Sequence, residues 1–261
     1  MTMDSWDPEQ YERFKGERTA PFEDLLTLVE PVAGGSVVDL GCGTGELTWR
    51  LHTHVGAFRT VGVDSSPSML EEANTRQRGR VTFQRGDINT FGGTGEWDVV
   101  AANASLHWVP DHPAVLGRWA AALRPGGQLA VQVPANIDHP SHWVAAEVGR
   151  EVCGDAAPVD PVANVLKPEQ YAELLDGLGF ERQHVRLQVY GHRMASSADV
   201  VEWVKGTSLT RFRSVLDDAD YADFLDRYRA RLLEVIGDRR PYFYAFKRIL
   251  MWGRLPAVTT A

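Results

Sequence analysis

The sequence predicts an α/β fold, a doubly wound and mainly parallel sheet, and three observations carry that expectation. Short apolar runs alternate with amphipathic helical stretches from Gly34 onward. The first run, Ser36 to Leu40, leads straight into the turn Asp39-Leu40-Gly41-Cys42-Gly43-Thr44-Gly45 and then a helical pattern. The second run ends on an acidic residue, Asp64, 19 positions beyond Gly45.

Each element has its own signal. After the first strand, Ser36 to Leu40, a helix is expected from about Thr44 to His54, and the second strand covers Thr60 to Val63. Ser66 is placed to cap the next helix, with Pro67 at its first position and Met69, Leu70 and Ala73 facing inward. Val81 to Arg85 reads as the third strand and Trp97 to Ala102 as the fourth. A helix from about His112 to Leu123 then stops at Arg124-Pro125-Gly126-Gly127, ahead of a fifth strand, Gln128 to Val133. The stretch 134–168 is polar and rich in Pro, His and Asn, with a short helix near Trp143 to Val152, and reads as a mobile segment over a ligand cleft. A helix from Glu169 to Leu178 and a strand from Arg182 to about Tyr190 follow. Two helices then make an insertion, 192–240. In the second of them Tyr221, Phe224, Leu225, Tyr228, Leu232 and Val235 recur at helical spacing, as a packing stripe does, with Asp217, Asp218 and Asp220 at its positive end. Tyr242 to Trp252 returns as the last strand. The chain thus reads as one domain, 1–261, with a helical N-terminal cap at 6–33 and a ligand-binding core at 34–133.

Composition narrows the function. A hydrophobic content of 44% supports a full core, while a net charge of −8 argues against nucleic-acid and anionic-membrane surfaces. The imbalance is uneven, since residues 180–261 carry 14 basic and 10 acidic side chains. Cys42 and Cys153 make no disulfide framework and lack metal-site spacing, so no metal is expected. No segment has the length or apolarity of a membrane span or leader, which makes the cytoplasm the expected location.

The glycine turn carries the chemistry. Gly41, Gly43 and Gly45 let the backbone turn tightly and let a ligand lie on the main chain. A dinucleotide site would put a third glycine where Glu46 stands, and a carboxylate there repels a pyrophosphate. Asp39, two places before Gly41, suits instead a cofactor with an amino group and no phosphate, and S-adenosylmethionine fits. Asp64 is placed to accept hydrogen bonds from two ribose hydroxyls, and Asp87 with Ile88 to meet an adenine edge and face. Asn103, at the end of the fourth strand, is placed to hold the methionine end. For His107 two readings stay open, general base or packing residue.

Asp39 to Gly45, Asp64, Gly86-Asp87-Ile88, Trp97 to Trp108 and Leu123 to Gly127 together resemble the class I S-adenosylmethionine-dependent methyltransferases. More narrowly, the chain resembles the trans-aconitate 2-methyltransferase family throughout. The matching positions are Trp6-Asp7-Pro8, Tyr11, Phe14 and Glu17-Arg18; Val61 to Pro67 with Met69-Leu70; Asn103 to Leu106 with Trp108-Val109-Pro110; Val131 to Pro134 with Asn136; Trp203, Phe246 and Arg248. The resemblance implies a Rossmann-like seven-stranded sheet with its last strand antiparallel, an N-terminal helix and a helical insertion before that strand. It also implies that Tyr11 and Arg18 close over the cofactor and that Ser65 and Met69 join its site.

A small polycarboxylic acid as acceptor agrees with the basic C-terminal third. Its carboxylate is already ionised at neutral pH, so positioning rather than a base should do the work, with no catalytic side chain required. Arg248 is the leading candidate to grip a non-reacting carboxylate, with Arg193, Arg211 and Arg213 beside it. His192 and Tyr244 are candidate donors and Trp108 a further lining residue. Two alternatives stay open: a phenol, amine or other carboxylate as acceptor, for which His107 serves as base, and a non-catalytic binder of the same cofactor. Monomer and homodimer are equally compatible with the sequence.

Overall fold

Seven strands form one sheet in the order β3-β2-β1-β4-β5-β7-β6: β1 Ser36–Leu40, β2 Arg59–Asp64, β3 Val81–Arg85, β4 Trp97–Asn103, β5 Leu123–Pro134, β6 Arg182–Met194 and β7 Tyr242–Arg254. The computed structural model describes residues 15–257, with only the backbone given for 15–18. β1 to β5 pair in parallel, and β7 runs antiparallel to β5 from Gln128↔Arg254 to Pro134↔Arg248. The strand order reverses between β1 and β4, so their carboxyl ends open the crevice where ligands bind in such sheets. Among the described residues, no helix is long and apolar enough to cross a membrane.

The chain divides into two compact units. The first comprises Thr19–Pro134, Asn164–Gln188 and the chain from Arg248 on. Every residue of β1 is buried, as a strand covered on both faces requires. Helix α1, Lys15–Leu26, packs Phe22, Leu25 and Leu26 on Val37, Val99 and Ala101 of the sheet and on Leu51 and Val55 of helix α2, Glu46–Val55. Each such side chain contributes about 1.5 to 3 kcal/mol when fully buried. On another part of the sheet Cys42, Leu70, Ala73, Val81 and Phe83 form a smaller cluster. Cys42 is therefore a packing residue, and burial pushes its thiol well up from the usual range. Helix α3, Pro67–Thr75, starts as expected, with Ser66 Oγ accepting from Met69 N at 3.3 Å. Helices α4, His112–Ala121, and α6, Pro168–Gly177, complete this unit.

The second unit includes Ala135–Ala163 and Val189–Lys247. Its core is aromatic, built on Phe212, Phe224, Tyr228 and Tyr244, all fully buried, where helix α5, Pro140–Cys153, meets helix α8, Asp218–Ile236. Asp217 caps α8 by accepting from Asp220 N at 2.9 Å.

Several boundaries differ from expectation. The stop at Arg124–Gly127 lies within β5, because Leu123 already pairs with Trp97 and the register then shifts to Val99↔Gln128; the turn is an irregularity inside the ladder. β6 continues past Tyr190 to Met194, and the insertion holds a seven-residue helix α7, Asp199–Lys205, a 3-10 stretch Ser208–Ser214, and α8. On α8 the stripe ends on buried Ile236, while Val235 is 44% exposed, since the 3.6-residue period turns Val235 off the face. Tyr11 lies outside the described residues, as does the side chain of Arg18.

Candidate active site

The glycine turn joins β1 to α2 and is held by two bonds, Gly41 N and Cys42 N both donating to Val63 O at 2.8 and 3.1 Å. Its glycines have different reasons. A Cβ on Gly41 would stand 2.2 Å from Ser105 Cβ, so that position packs backbone against the loop after β4. Gly43, at φ +54°, would point a Cβ into open space, the surface on which a ligand can lie. Gly45, at φ +75°, begins α2.

Two carboxylates flank this surface. Asp64, at the end of β2, accepts from Gly43 N through Oδ2 and from Ser66 N through Oδ1, each at 2.9 Å. A carboxylate offers about four acceptor sites, so two remain for ribose hydroxyls. Ser65 is exposed and Met69 half-buried beside it. Asp39 is 4% exposed and accepts from Thr48 Oγ1 at 2.6 Å. Burial pushes its carboxyl up to about 6, against the Thr48 bond and with help from the charge of Asp64.

Asp87, after β3, is exposed and its Oδ1 accepts from Asn89 N at 2.8 Å, so it shapes the turn that presents the half-buried Ile88. Asn103 ends β4 with Oδ1 buried and without a hydrogen-bond partner, the kind of acceptor that an ammonium satisfies. The next residue, Ala104, sits at φ 54°, a left-handed conformation that costs a non-glycine residue about 1 to 2 kcal/mol. It is fixed there by Ala104 N donating to Gln132 O at 2.9 Å and by Ser105 Oγ donating to Leu40 O at 2.6 Å. His107 and Trp108 follow on a 3-10 turn, Leu106–Trp108; the His107 ring is 8% exposed and lies 5.0 Å from that of Trp108, which is 50% exposed.

The candidate substrate residues fall into distinct settings. Arg248, on the part of β7 belonging to the first unit, is buried and donates from Nη1 to Gln132 Oε1 at 3.3 Å. Trp108 belongs to the same unit, and the others belong to the second. Arg211 is buried and pairs through Nη1 with Asp160 Oδ2 at 3.1 Å, and that oxygen also meets His142 Nδ1 at 2.9 Å. Arg213 lies over the Tyr221 ring at 4.3 Å and near Asp218, and Arg193 is exposed on β6. His192 stacks on Trp203 at 4.8 Å. Tyr244 is fully buried, with its hydroxyl accepting from Asn136 Nδ2 at 3.2 Å and 3.3 Å from Ser141 Oγ. Asp160 and His142 gave no signal in the sequence, as a separation of 18 positions in a polar stretch matches no motif. Among the described residues, no cluster of His, Cys, Asp and Glu could hold a metal ion.

Residues 37–127 match the family model described as a methyltransferase domain. Beyond that core, the chain is 42% identical to a trans-aconitate 2-methyltransferase of Deinococcus radiodurans over 97% of its own length and 99% of the relative's. The chain belongs to the trans-aconitate 2-methyltransferase family. A member from Methylobacterium nodulans is 39% identical over 89% of this chain and 90% of its own. Two solved structures share the fold: the YcgJ protein of Bacillus subtilis, with a TM-score of 0.63 at 13% identity over 91% of this chain and 98% of that one, and a Haemonchus contortus phosphoethanolamine N-methyltransferase bound to S-adenosylhomocysteine, with a TM-score of 0.56 at 16% identity over 91% and 52%. As a family member the chain is an S-adenosylmethionine-dependent methyltransferase. The open surface at Gly43, the buried Asp39 and the bare acceptor of Asn103 fit a cofactor that carries an ammonium and a ribose.

Proposed function

We propose that this chain transfers a methyl group to one carboxylate of a small polycarboxylic acid, trans-aconitate in the first place, giving a monomethyl ester. The observation that carries this reading is the extent of the family likeness. It covers 97% of the chain, far beyond the residues 37–127 that match the methyltransferase-domain model. The 14 basic side chains of residues 180–261 suit an anionic acceptor. Two free cysteines suit the reducing cytoplasm.

In this reading 34–133 binds the cofactor, with Asp64 on the ribose, Asp87 and Ile88 at the adenine, Asp39 and Asn103 toward the methionine end, and Gly41 to Gly45 beneath it. The cofactor supplies a methyl group on a cationic sulfur. The protein's part would be to hold the acceptor oxygen close to that methyl group in a reactive orientation, an arrangement that lowers a barrier by several kcal/mol. The acceptor carboxylate needs no proton removed, since its reference pKa is about 4. Arginines therefore belong on the carboxylates that do not react, because a bidentate arginine on the nucleophile would stabilise the ground state as well and blunt its attack.

Two expectations follow from this chemistry. Burial holds the Asp39 carboxyl up at about 6, and a cofactor ammonium beside it would favour the ionised form. Binding must then expel a proton at low pH, so cofactor affinity falls by up to about tenfold per unit as the pH drops below 6 and is flat above 7. Calorimetry with S-adenosylhomocysteine between about pH 5 and pH 8 reads this directly, and a flat profile would place Asp39 away from the ligand's charge. His107→Ala should leave kcat within a few-fold of wild type; a loss of a hundredfold or more with binding retained would favour a phenol or amine acceptor that needs a base.

The reading is tested by supplying methyl-labelled cofactor with a panel of tri-, di- and monocarboxylic acids, phenols and amines. The tricarboxylate is expected to have the highest kcat/KM. A phenol or amine in that place would overturn the proposal, and cofactor binding without turnover of any acceptor would favour a binding protein.

A further inference from the structure

The turn that follows β3 is held from outside by two successive residues of α4. Trp119 is fully buried and donates from Nε1 to Ile88 O at 3.1 Å, and the half-buried Arg118 donates from Nη2 to Asn89 O. The strand, the turn and the helix all belong to the first unit. A buried indole N–H needs an acceptor, and for packing alone any carbonyl in reach would serve. Arg118 is harder to explain by packing, because in reaching Asn89 it leaves Nε buried without a hydrogen-bond partner, which costs stability. Together the two donors fix two successive peptide planes of the turn.

The consequence lies on the opposite side of the first plane. The peptide between Ile88 and Asn89 is trans, so its C=O and N–H point in opposite directions. With Ile88 O turned to Trp119, the N–H of Asn89 points away from the helix, where it donates to Asp87 Oδ1 at 2.8 Å. Thr90 N and Phe91 N close the turn by donating to Asp87 O at 3.2 and 3.0 Å. Asp87 itself is exposed, so its carboxylate stands open to a ligand. One carboxylate oxygen is thus held by a peptide that Trp119 holds, which sets the direction of the other. An ionised carboxylate only accepts hydrogen bonds, so it suits the exocyclic amino group of adenine and disfavours an oxo group in its place.

We propose that Trp119 and Arg118 are positioning residues for the base of the cofactor: by fixing the peptides of Ile88 and Asn89 they aim the Asp87 carboxylate, and the site thereby selects an aminopurine over an oxopurine. This rests on the reading above that places Asp87 and Ile88 at the adenine.

The test is calorimetric. S-adenosylhomocysteine and S-inosylhomocysteine, in which an oxo group replaces the amino group, are titrated into full-length wild type, Trp119→Phe, Arg118→Met and Asp87→Ala. Wild type is expected to prefer the adenosyl compound by about tenfold to a hundredfold, as a hydrogen bond to a charged acceptor allows. Trp119→Phe keeps a ring in the core and removes the donor, so the preference should fall by about threefold to tenfold, mostly through weaker binding of the adenosyl compound. Arg118→Met keeps the apolar stem and should lower the preference by a smaller factor. A purely structural role would lower the melting temperature and leave the preference where it was, so an unaltered preference in folded Trp119→Phe would overturn the proposal. Where Trp119→Phe does not fold, the preference of Arg118→Met decides in the same way. Wild type without a preference, or Asp87→Ala that keeps it, would overturn the placement of Asp87 at the adenine. Loss of the preference in Asp87→Ala with no change in Trp119→Phe removes the positioning role alone.

Discussion

Replacing Gly43 with valine is expected to abolish measurable binding of S-adenosylmethionine and its demethylated product while the protein stays folded. The structure separates these effects because a Cβ at Gly43 meets nothing within 4 Å, so the protein itself does not resist the side chain. The cost to the fold is the left-handed backbone, φ +54°, at about 1 to 2 kcal/mol. The cost to binding is steric, since the isopropyl group occupies the surface between Asp39 and Asp64. Gly41→Ala is the contrasting variant. Its Cβ would stand 2.2 Å from Ser105 Cβ, an overpacking worth about 1 to 3 kcal/mol, so the melting temperature should fall first. Calorimetry and thermal unfolding on both variants check the pair. A Gly43→Val protein that binds normally would reduce the turn to a strand-to-helix connection.

Arg248→Ala is expected to cut catalytic efficiency on trans-aconitate by roughly 2 to 5 kcal/mol while sparing cofactor affinity. Arg248 sits on β7 opposite Pro134, buried, and donates to Gln132 Oε1 at 3.3 Å. That bond makes the truncation felt by the fold as well, at about 1 to 3 kcal/mol, so the melting temperature alone does not decide the question. The decisive comparison is with Arg248→Lys, which keeps a charge at this position and should recover only part of the lost efficiency, since an ammonium has no fork. Equal tricarboxylate preference in wild type and both variants would make Arg248 a structural residue.

Much of the fold was legible because each signal is local. Apolar runs bounded by turns gave β1 to β4 to within a residue or so of their ends, and Ser66-Pro67 gave the start of α3. Where a boundary depends on pairing with a distant strand, local signals failed. Leu123 is a strand residue because Trp97 lies beside it, and no pattern around Arg124-Pro125-Gly126-Gly127 announces that. The candidate cofactor residues were legible as a set because a doubly wound sheet delivers strand ends to one crevice, and Asp39, Asp64, Asp87 and Asn103 stand at or just beyond such ends. The basic balance of residues 180–261 suits an anionic acceptor but could not sort one arginine from another. Sorting needs the neighbours: Asp160 is 51 positions from Arg211 in sequence and 3.1 Å away in space. Tyr244 shows the same limit, since its hydroxyl meets Asn136 and Ser141, far back along the chain.

If the acceptor atom is a carboxylate oxygen, the product is a methyl ester, and its lability in base shows it. Purified protein is incubated with S-adenosylmethionine and trans-aconitate, and the product is isolated and treated with mild base. Carboxylate methylation gives a species one methyl group heavier than trans-aconitate that base returns to trans-aconitate with release of methanol. A methylated product that survives base, or no methylated acid although the cofactor binds, would contradict it.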